Sequence, residues 1–235
     1  MLKMKVLWLK TLGKHKYYQS HIIIEKKNLV ERLVHKMKDG LSTLAERIVK
    51  ADYISMEELI KGSDRFSIDE IHVFLNRIIA AWEAHKLTQA AVYALLKFVY
   101  MYLNQPHIHI NFKNRIPIPI CYFSPYLIPS ASLLYSYLKT LSFAVVLFSL
   151  EKTDQHLKEF IEKKKPQAAV FTVSQFLHVE PLKDLVPYLH DRDLEIFVGG
   201  IPFVYDESLK KQFSDCIFPQ DLTELALLLK NLAKE

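Results

Sequence analysis

The spacing of apolar positions changes about halfway along this chain of 235 residues. In the first half apolar residues recur every three to four positions, as in Leu29, Leu33 and Met37, which is the period of an amphipathic helix. In the second half they form short unbroken runs, such as residues 143–148, bounded by polar segments. The pattern therefore predicts a helical region followed by a region in which strands and helices alternate.

The first half is predicted to be a bundle of roughly four or five helices over residues 26–104. Ser67-Ile-Asp-Glu70 has the form of a capping box that opens one helix, and Thr88 is a suitable N-cap for the last helix. Residues 1–25 form a basic N-terminal arm before the bundle. Residues 105–117 are rich in proline and histidine and are predicted to be a linker.

The second half, residues 118–235, contains five strand-like runs separated by amphipathic helices. The predicted strands are Ile118–Phe123, Phe143–Phe148, Ala168–Val173, Leu194–Val198 and Cys216–Phe218. The predicted helices are Ser130–Leu141, Asp154–Lys164, Val179–His190, Asp206–Phe213 and Leu222–Ala233. Apolar strands that alternate with helices indicate a parallel sheet covered on both faces. We therefore predict an α + α/β fold, with a helical bundle followed by a flavodoxin-like, doubly wound, five-stranded parallel sheet.

Ligands of such a sheet bind above the carboxyl ends of its strands. The fourth predicted strand runs directly into Gly199-Gly200, where the missing Cβ atoms would let a ligand lie against the backbone. The alternative is that the two glycines only make a tight turn. Thr172 and Ser174, at the end of the third strand, either line the same ligand site or satisfy the local backbone.

Composition narrows the class of protein. No apolar run approaches the roughly 18 residues of a membrane span, so we expect a cytoplasmic protein without membrane contact. Cys121 and Cys216 have no metal-ligand spacing and are predicted to be buried free thiols. Residues 1–24 contain five lysines and no acidic residue. This arm is either a solvated flank or a contact site for DNA or an acidic partner.

Three segments, in this order, resemble the cobalamin-binding module with a helical cap found in methionine synthase and in light-sensing, cobalamin-dependent transcriptional regulators. They are Trp82-Glu83-Ala84-His85-Lys86-Leu87-Thr88, Thr172-Val173-Ser174 and Val198-Gly199-Gly200. The resemblance extends over about residues 26–235. It implies that Trp82 approaches the cofactor and that the hydroxyl of Thr172 lines the slot for the nucleotide tail.

The chain departs from that family at the cobalt ligand. The family's Asp-x-His-x-x-Gly motif would fall on residues 125–130, where Leu127 replaces the histidine and Pro125 the aspartate. Leucine has no lone pair, so cobalamin ligated by a histidine at this position is excluded. In the cap, Val92 and Tyr93 stand where the light sensors have a Glu-His pair.

These departures predict a non-enzymatic regulatory sensor or adaptor with a degenerate cobalamin-binding fold, acting in signalling or transcription control. It would be cofactor-free or would bind a different ligand between bundle and sheet. It would work through a protein partner or as a homo-oligomer, with DNA as a further candidate partner. The predicted ligand-binding residues are Trp82, Tyr93, Tyr126, Leu127, Thr172, Ser174, Gly199 and Gly200, and we predict no catalytic or metal-ligating residue.

Three alternatives remain open from the sequence. The chain could bind a corrinoid without a histidine ligand, its tail held near Thr172, Ser174 and Gly199. It could instead be a haem sensor, for which the candidate axial ligands are His85, His107, His109 and His178. The third alternative is an enzyme, such as a corrinoid carrier for methyl transfer or a mutase subunit.

Overall fold

The computed structural model describes residues 48, 60, 66–114, 116–124 and 128–232. The basic arm, the predicted helices before residue 66, Tyr126 and Leu127 lie outside the described residues, apart from Ile48 and Ile60, which are helical and buried. The chain divides into two compact units between Ile108 and His109.

The first unit contains two described helices, α1 (Ile68–Glu83) and α2 (Gln89–Leu103). The predicted capping box at the start of α1 is present. The Glu70 backbone N–H donates to Ser67 Oγ (3.2 Å), and the Ser67 N–H donates to the Glu70 carboxylate (2.9 Å). Thr88 caps α2 by accepting from the Ala91 N–H at 3.2 Å. The two N-termini therefore form where the sequence predicts them.

Both helices bury one apolar face. The buried residues are Ile71, Phe74, Leu75, Ile78 and Ala81 on α1, and Ala91, Val92, Leu95, Leu96, Phe98, Val99, Tyr102 and Leu103 on α2. The Tyr102 hydroxyl donates to the Phe66 carbonyl at 2.9 Å, which ties the end of α2 to the start of α1. Val92 is fully buried in this unit, so packing alone accounts for an apolar residue at that position.

The second unit is a five-stranded, all-parallel sheet with strand order β2-β1-β3-β4-β5. Its strands are β1 (Ile118–Tyr122), β2 (Val145–Ser149), β3 (Ala168–Thr172), β4 (Glu195–Gly199) and β5 (Cys216–Ile217). Its helices are α3 (Ile128–Thr140), α4 (Gln155–Lys164), α5 (Val179–His190), α6 (Ile201–Tyr205) and α7 (Leu222–Leu232). This order is the flavodoxin-like arrangement and confirms the predicted fold class.

The two faces of the sheet can be assigned from the core. Cys121, Phe171 and Val198 belong to one buried cluster with residues of α4 and α5, such as Leu157 and Leu182. Side chains alternate along a strand, so the next residue of each strand points to the opposite face. Because crossovers between parallel strands are right-handed, α3 and α7 cover that opposite face. Contacts of α3 with β1, β2 and α7 agree with this assignment.

The segment between β4 and β5 differs from the prediction of a single helix over Asp206–Phe213. The structure has a short α6 (Ile201–Tyr205) and then a 3-10 helix, Glu207–Gln212. Asp206 separates them, because its backbone is extended and its carboxylate accepts from the Ser208 N–H at 2.9 Å. Asp206 and Ser208 therefore start a second helix, which is of the tighter 3-10 type. None of the described helices is long and apolar enough to cross a membrane.

Candidate ligand-binding site

The centre of the sheet's carboxyl edge brings two of the predicted site residues together. Thr172 ends β3 and pairs in register with Gly199, the last residue of β4. On its other side Thr172 pairs with Tyr122, the last residue of β1. All three positions point to the face covered by α3 and α7, since the preceding residue of each strand belongs to the cluster on the opposite face.

The two glycines at this edge have different surroundings. A Cβ atom added to Gly199 would meet no atom within 4 Å. A Cβ added to Gly200 would lie 1.8 Å from the Val173 carbonyl oxygen, and Gly200 has φ 138° and ψ 172°. Close packing against β3 therefore explains the glycine at 200. Packing does not explain the glycine at 199, which faces open space.

Thr172 carries a polar atom that the fold leaves unpaired. Its side chain is 6 % exposed, and its Oγ1 is buried without a hydrogen-bond partner. A buried hydroxyl without a partner costs about 1–3 kcal/mol, so such atoms are uncommon in folded proteins. Ser174, two residues further on, is also buried. An unpaired hydroxyl beside the open position at Gly199 is the arrangement expected of a site that a ligand completes.

Two other buried side-chain atoms are unpaired among the described residues, Ser136 Oγ and His178 Nδ1. Ser136 is on α3, the helix that covers the face to which Thr172 and Gly199 point, and it is fully buried. The prediction from sequence did not include Ser136. Its signal was a serine within the apolar run Leu133-Leu-Tyr-Ser-Tyr-Leu138, where a hydroxyl has no solvent to contact.

His178 lies near the same edge but packs against the other face of the sheet. Its ring stacks on Phe123, with the ring centroids 5.4 Å apart, and Phe123 belongs to the cluster with α4 and α5. Burial lowers the pKa of the His178 imidazole below its usual value, so the ring is neutral at neutral pH. His85, His107 and His109 are exposed. Across the described ranges, no group of three His, Cys, Asp or Glu residues is arranged to hold a metal ion.

The remaining predicted site residues belong to other parts of the chain. Trp82 and Tyr93 are half-buried in the first unit, near the end of α1 and the start of α2. The Tyr93 hydroxyl accepts from Gln89 Nε2 at 2.5 Å. Tyr126 and Leu127 lie outside the described residues. Among the described residues, the predicted site residues at the carboxyl edge of the sheet are therefore Thr172, Ser174, Gly199 and Gly200.

The two cysteines are placed as predicted. Cys121 and Cys216 are free and buried in β1 and β5. Burial raises the pKa of the Cys121 thiol well above its ordinary value. For Cys216, burial and then the nearby Asp215 raise the pKa to about 12. Both side chains are therefore uncharged packing residues in the folded protein.

No protein-family model matches the sequence, and no curated protein matches it either. Solved structures do match in fold. One is a cobalamin-binding protein from Desulfitobacterium hafniense DCB-2, with 10% identity, a TM-score of 0.51 and coverage of 88% of this chain and 96% of that chain. Another is the methanol:cobalamin methyltransferase complex from Methanosarcina barkeri, with 12% identity, a TM-score of 0.53 and coverage of 96% and 90%. At these identities the likeness concerns architecture, and the chain has the fold of these cobalamin-binding structures.

Proposed function

We propose that this protein binds a corrinoid by its nucleotide tail and acts as a non-enzymatic regulatory protein. One observation carries the proposal. Beside the open position at Gly199, Thr172 buries a hydroxyl that has no partner. The two features occur on adjacent strands at the carboxyl edge of a doubly wound sheet, where ligands of this architecture bind.

The residues present fit the tail of such a cofactor. The absent side chain at Gly199 leaves room for a flat group against the end of β4. The Thr172 hydroxyl can donate to or accept from a polar atom of the tail, which would remove the cost of its burial. A bound corrinoid would supply a cobalt centre that can exchange ligands. The chain's own part is to hold the tail and to exclude water from the slot.

The residue at position 127 bears on whether the site could support catalysis. Leu127 stands where the resembling family has its cobalt-binding histidine, so the proposal requires no ligation from that loop. Without that histidine and its aspartate partner, control of the cobalt during a methyl-transfer cycle is lost, which favours regulation over catalysis. The unpaired hydroxyl also favours a bound ligand over a cofactor-free module. A protein that no longer had to bind a ligand would gain stability if a residue without an unpaired buried hydroxyl replaced Thr172.

The direct test is retention of a corrinoid by the purified protein. Hydroxocobalamin is added, the unbound fraction is removed by gel filtration, and the absorbance spectrum of the protein peak is recorded. We expect retained corrinoid in the wild-type protein and none in Gly199→Val, whose side chain fills the open position. Circular dichroism on Gly199→Val verifies that the sheet is still folded. A colourless wild-type peak contradicts the proposal. Unchanged retention of corrinoid by Gly199→Val contradicts the assignment of the tail-binding site to the open position at Gly199.

The same samples test the remaining parts of the proposal. A regulatory role predicts that loading changes the oligomeric state or the binding of a protein partner, which sedimentation of the apo and loaded protein measures. Turnover of methyl groups by the loaded protein would contradict the non-enzymatic role. Retention of haem, seen as a Soret band, in place of the corrinoid would move the assignment to a haem sensor.

A further inference from the structure

The two edges of the parallel sheet differ in how they are protected against pairing with another chain. β5 forms one edge, has only two residues, Cys216–Ile217, and is closely followed by Pro219. β2 forms the other edge, has five residues, Val145–Ser149, and contains no proline or charged residue. Exposed edges in folded proteins are usually kept short or carry lysine or proline, because an unpaired strand is a template for another strand. Of the two edges, the one formed by β2 lacks this protection.

The outward backbone groups of β2 can be identified from the hydrogen bonds that flank it. The Ala144 carbonyl accepts from the first residue of β1 at 2.9 Å, and the Leu150 N–H donates to the last residue of β1 at 2.8 Å. Because bonded and outward-facing residues alternate along an edge strand, Val145, Leu147 and Ser149 point their N–H and C=O groups away from β1. None of the residues that the structure describes bonds to these outward groups.

The side chains leave an apolar surface along the same edge. The four apolar residues of β2, at positions 145–148, are only half-buried, whereas all five residues of the central strand β3 are buried. Phe112 is 45 % exposed and Ile116 is 36 % exposed. The N–H of Lys113, the neighbour of Phe112, donates to the Ser142 carbonyl at 2.8 Å, so this segment lies at the amino end of β2. A contiguous exposed apolar surface of this kind is typical of an interaction site.

We propose that the β2 edge is the contact surface between two copies of this chain, paired antiparallel about a two-fold axis at Leu147. The outward backbone groups fit this register because they are symmetric about that residue. Leu147 would pair with Leu147 of the second copy, and Val145 with Ser149 of the second copy, which gives about six backbone hydrogen bonds. The two sheets would join into one continuous sheet. This pairing does not require a bound corrinoid, so it is independent of the proposed function.

The charges at the two ends of β2 fit the same register. At the amino end, Lys113 Nζ donates to the Leu141 carbonyl at 2.7 Å and lies 5.5 Å from the centroid of the Phe143 ring. Glu151 is exposed just beyond the carboxyl end of the strand. In a pairing centred on Leu147, Phe143 falls opposite Glu151 of the second copy. The carboxylate of one copy and the Lys113 ammonium of the other then lie close together at both ends of the interface, which favours a second copy as the partner.

The test measures self-association of the full chain, without corrinoid, by sedimentation velocity over a range of protein concentrations. Low ionic strength is used, because salt screens exposed charges. A strand-edge interface is small, so we expect a dimer with a dissociation constant in the micromolar range. Glu151→Lys and Lys113→Glu should each weaken dimerisation about tenfold, because each variant places like charges together at both ends of the interface. An equimolar mixture of the two variants should associate like the wild type, since opposite charges meet again in the mixed dimer.

The controls reverse the same charges elsewhere on the same unit. Glu180→Lys and Lys183→Glu change exposed positions of α5 and should dimerise like the wild type. Circular dichroism verifies that every variant is folded. A monomeric wild-type protein, a dimer that the variants at 113 and 151 do not weaken, or a mixture that associates no better than the single variants would each overturn the proposal. A monomer that dimerises only when residues 1–10 are deleted would also overturn it, because the N-terminal arm would then cover the β2 edge.

Discussion

Replacing Gly200 by alanine should destabilise the sheet, whereas the same replacement one residue earlier should not. At Gly200 the backbone angles, φ 138° and ψ 172°, lie in a region that only glycine adopts readily. An alanine there costs about 1–3 kcal/mol in backbone strain. The added Cβ would also lie 1.8 Å from the Val173 carbonyl oxygen, so β3 and β4 must separate at this point.

That separation breaks the hydrogen bond from the Val173 N–H to the Gly199 carbonyl, now 2.8 Å long, at a cost of about 1 kcal/mol. The total loss for Gly200→Ala is about 2–4 kcal/mol, a large part of the stability of an ordinary domain. For Gly199→Ala the Cβ meets no atom within 4 Å, so we expect a change of at most about 1 kcal/mol, with stabilisation favoured.

Urea denaturation followed by far-ultraviolet circular dichroism gives the free energy of unfolding of both variants and the wild type. The predicted order is Gly199→Ala equal to or above wild type, with Gly200→Ala well below. Equal stability of the two variants would refute the assignment of Gly200 to packing and Gly199 to an open surface. A larger loss in Gly199→Ala would refute it more directly, because the position would then be filled by the protein itself.

Three further predictions concern one buried hydroxyl and one buried thiol. Thr172→Val keeps the shape of the side chain but removes the unpaired hydroxyl, so it should raise the free energy of unfolding by about 1 kcal/mol while weakening hydroxocobalamin binding. Lower stability in this variant would show that the hydroxyl is paired in the folded protein. Cys216, whose pKa is raised to about 12 from 9.0, should resist alkylation at pH 8 until the protein unfolds, a comparison made by mass spectrometry with and without urea. Because the pKa of the Cys216 thiol is higher in the folded state, the unfolded state loses the thiol proton first as the pH rises. The contribution of Cys216 to the free energy of unfolding is therefore complete below pH 9 and declines from there toward pH 12. A rise in the free energy of unfolding over that range would contradict the burial of the thiol.

The fold was predictable because its signals are local and repeated. Five short apolar runs separated by amphipathic helices lead to a parallel sheet with few alternatives, and the observed strand order is the expected one. Ser67 and Thr88 mark helix starts by side-chain hydrogen bonds that depend only on residues three positions away. The segment after β4 was less predictable, because Asp206 both fits a helical period and can stop a helix by accepting from Ser208.

The site was predictable only in part, since its properties depend on contacts between distant residues. In the sequence Gly199 and Gly200 form a single Gly-Gly pair with nothing to tell them apart. In the structure the backbone of Val173 packs closely against Gly200, whereas Gly199 faces open space. The unpaired state of Thr172 and Ser136 is likewise a property of the packed structure, because any hydroxyl in a sequence has potential partners within a turn. Whether Tyr126 and Leu127 line the site stays a prediction.

The most direct test of corrinoid binding through the tail compares cobalamin with cobinamide, which has the same corrin ring but no nucleotide tail. Titration of the wild-type protein with each, followed by intrinsic fluorescence, gives the two dissociation constants. The slot at Thr172 and Gly199 predicts that cobalamin binds at least about tenfold more tightly than cobinamide. Equal dissociation constants, or no binding of either compound, would contradict the account.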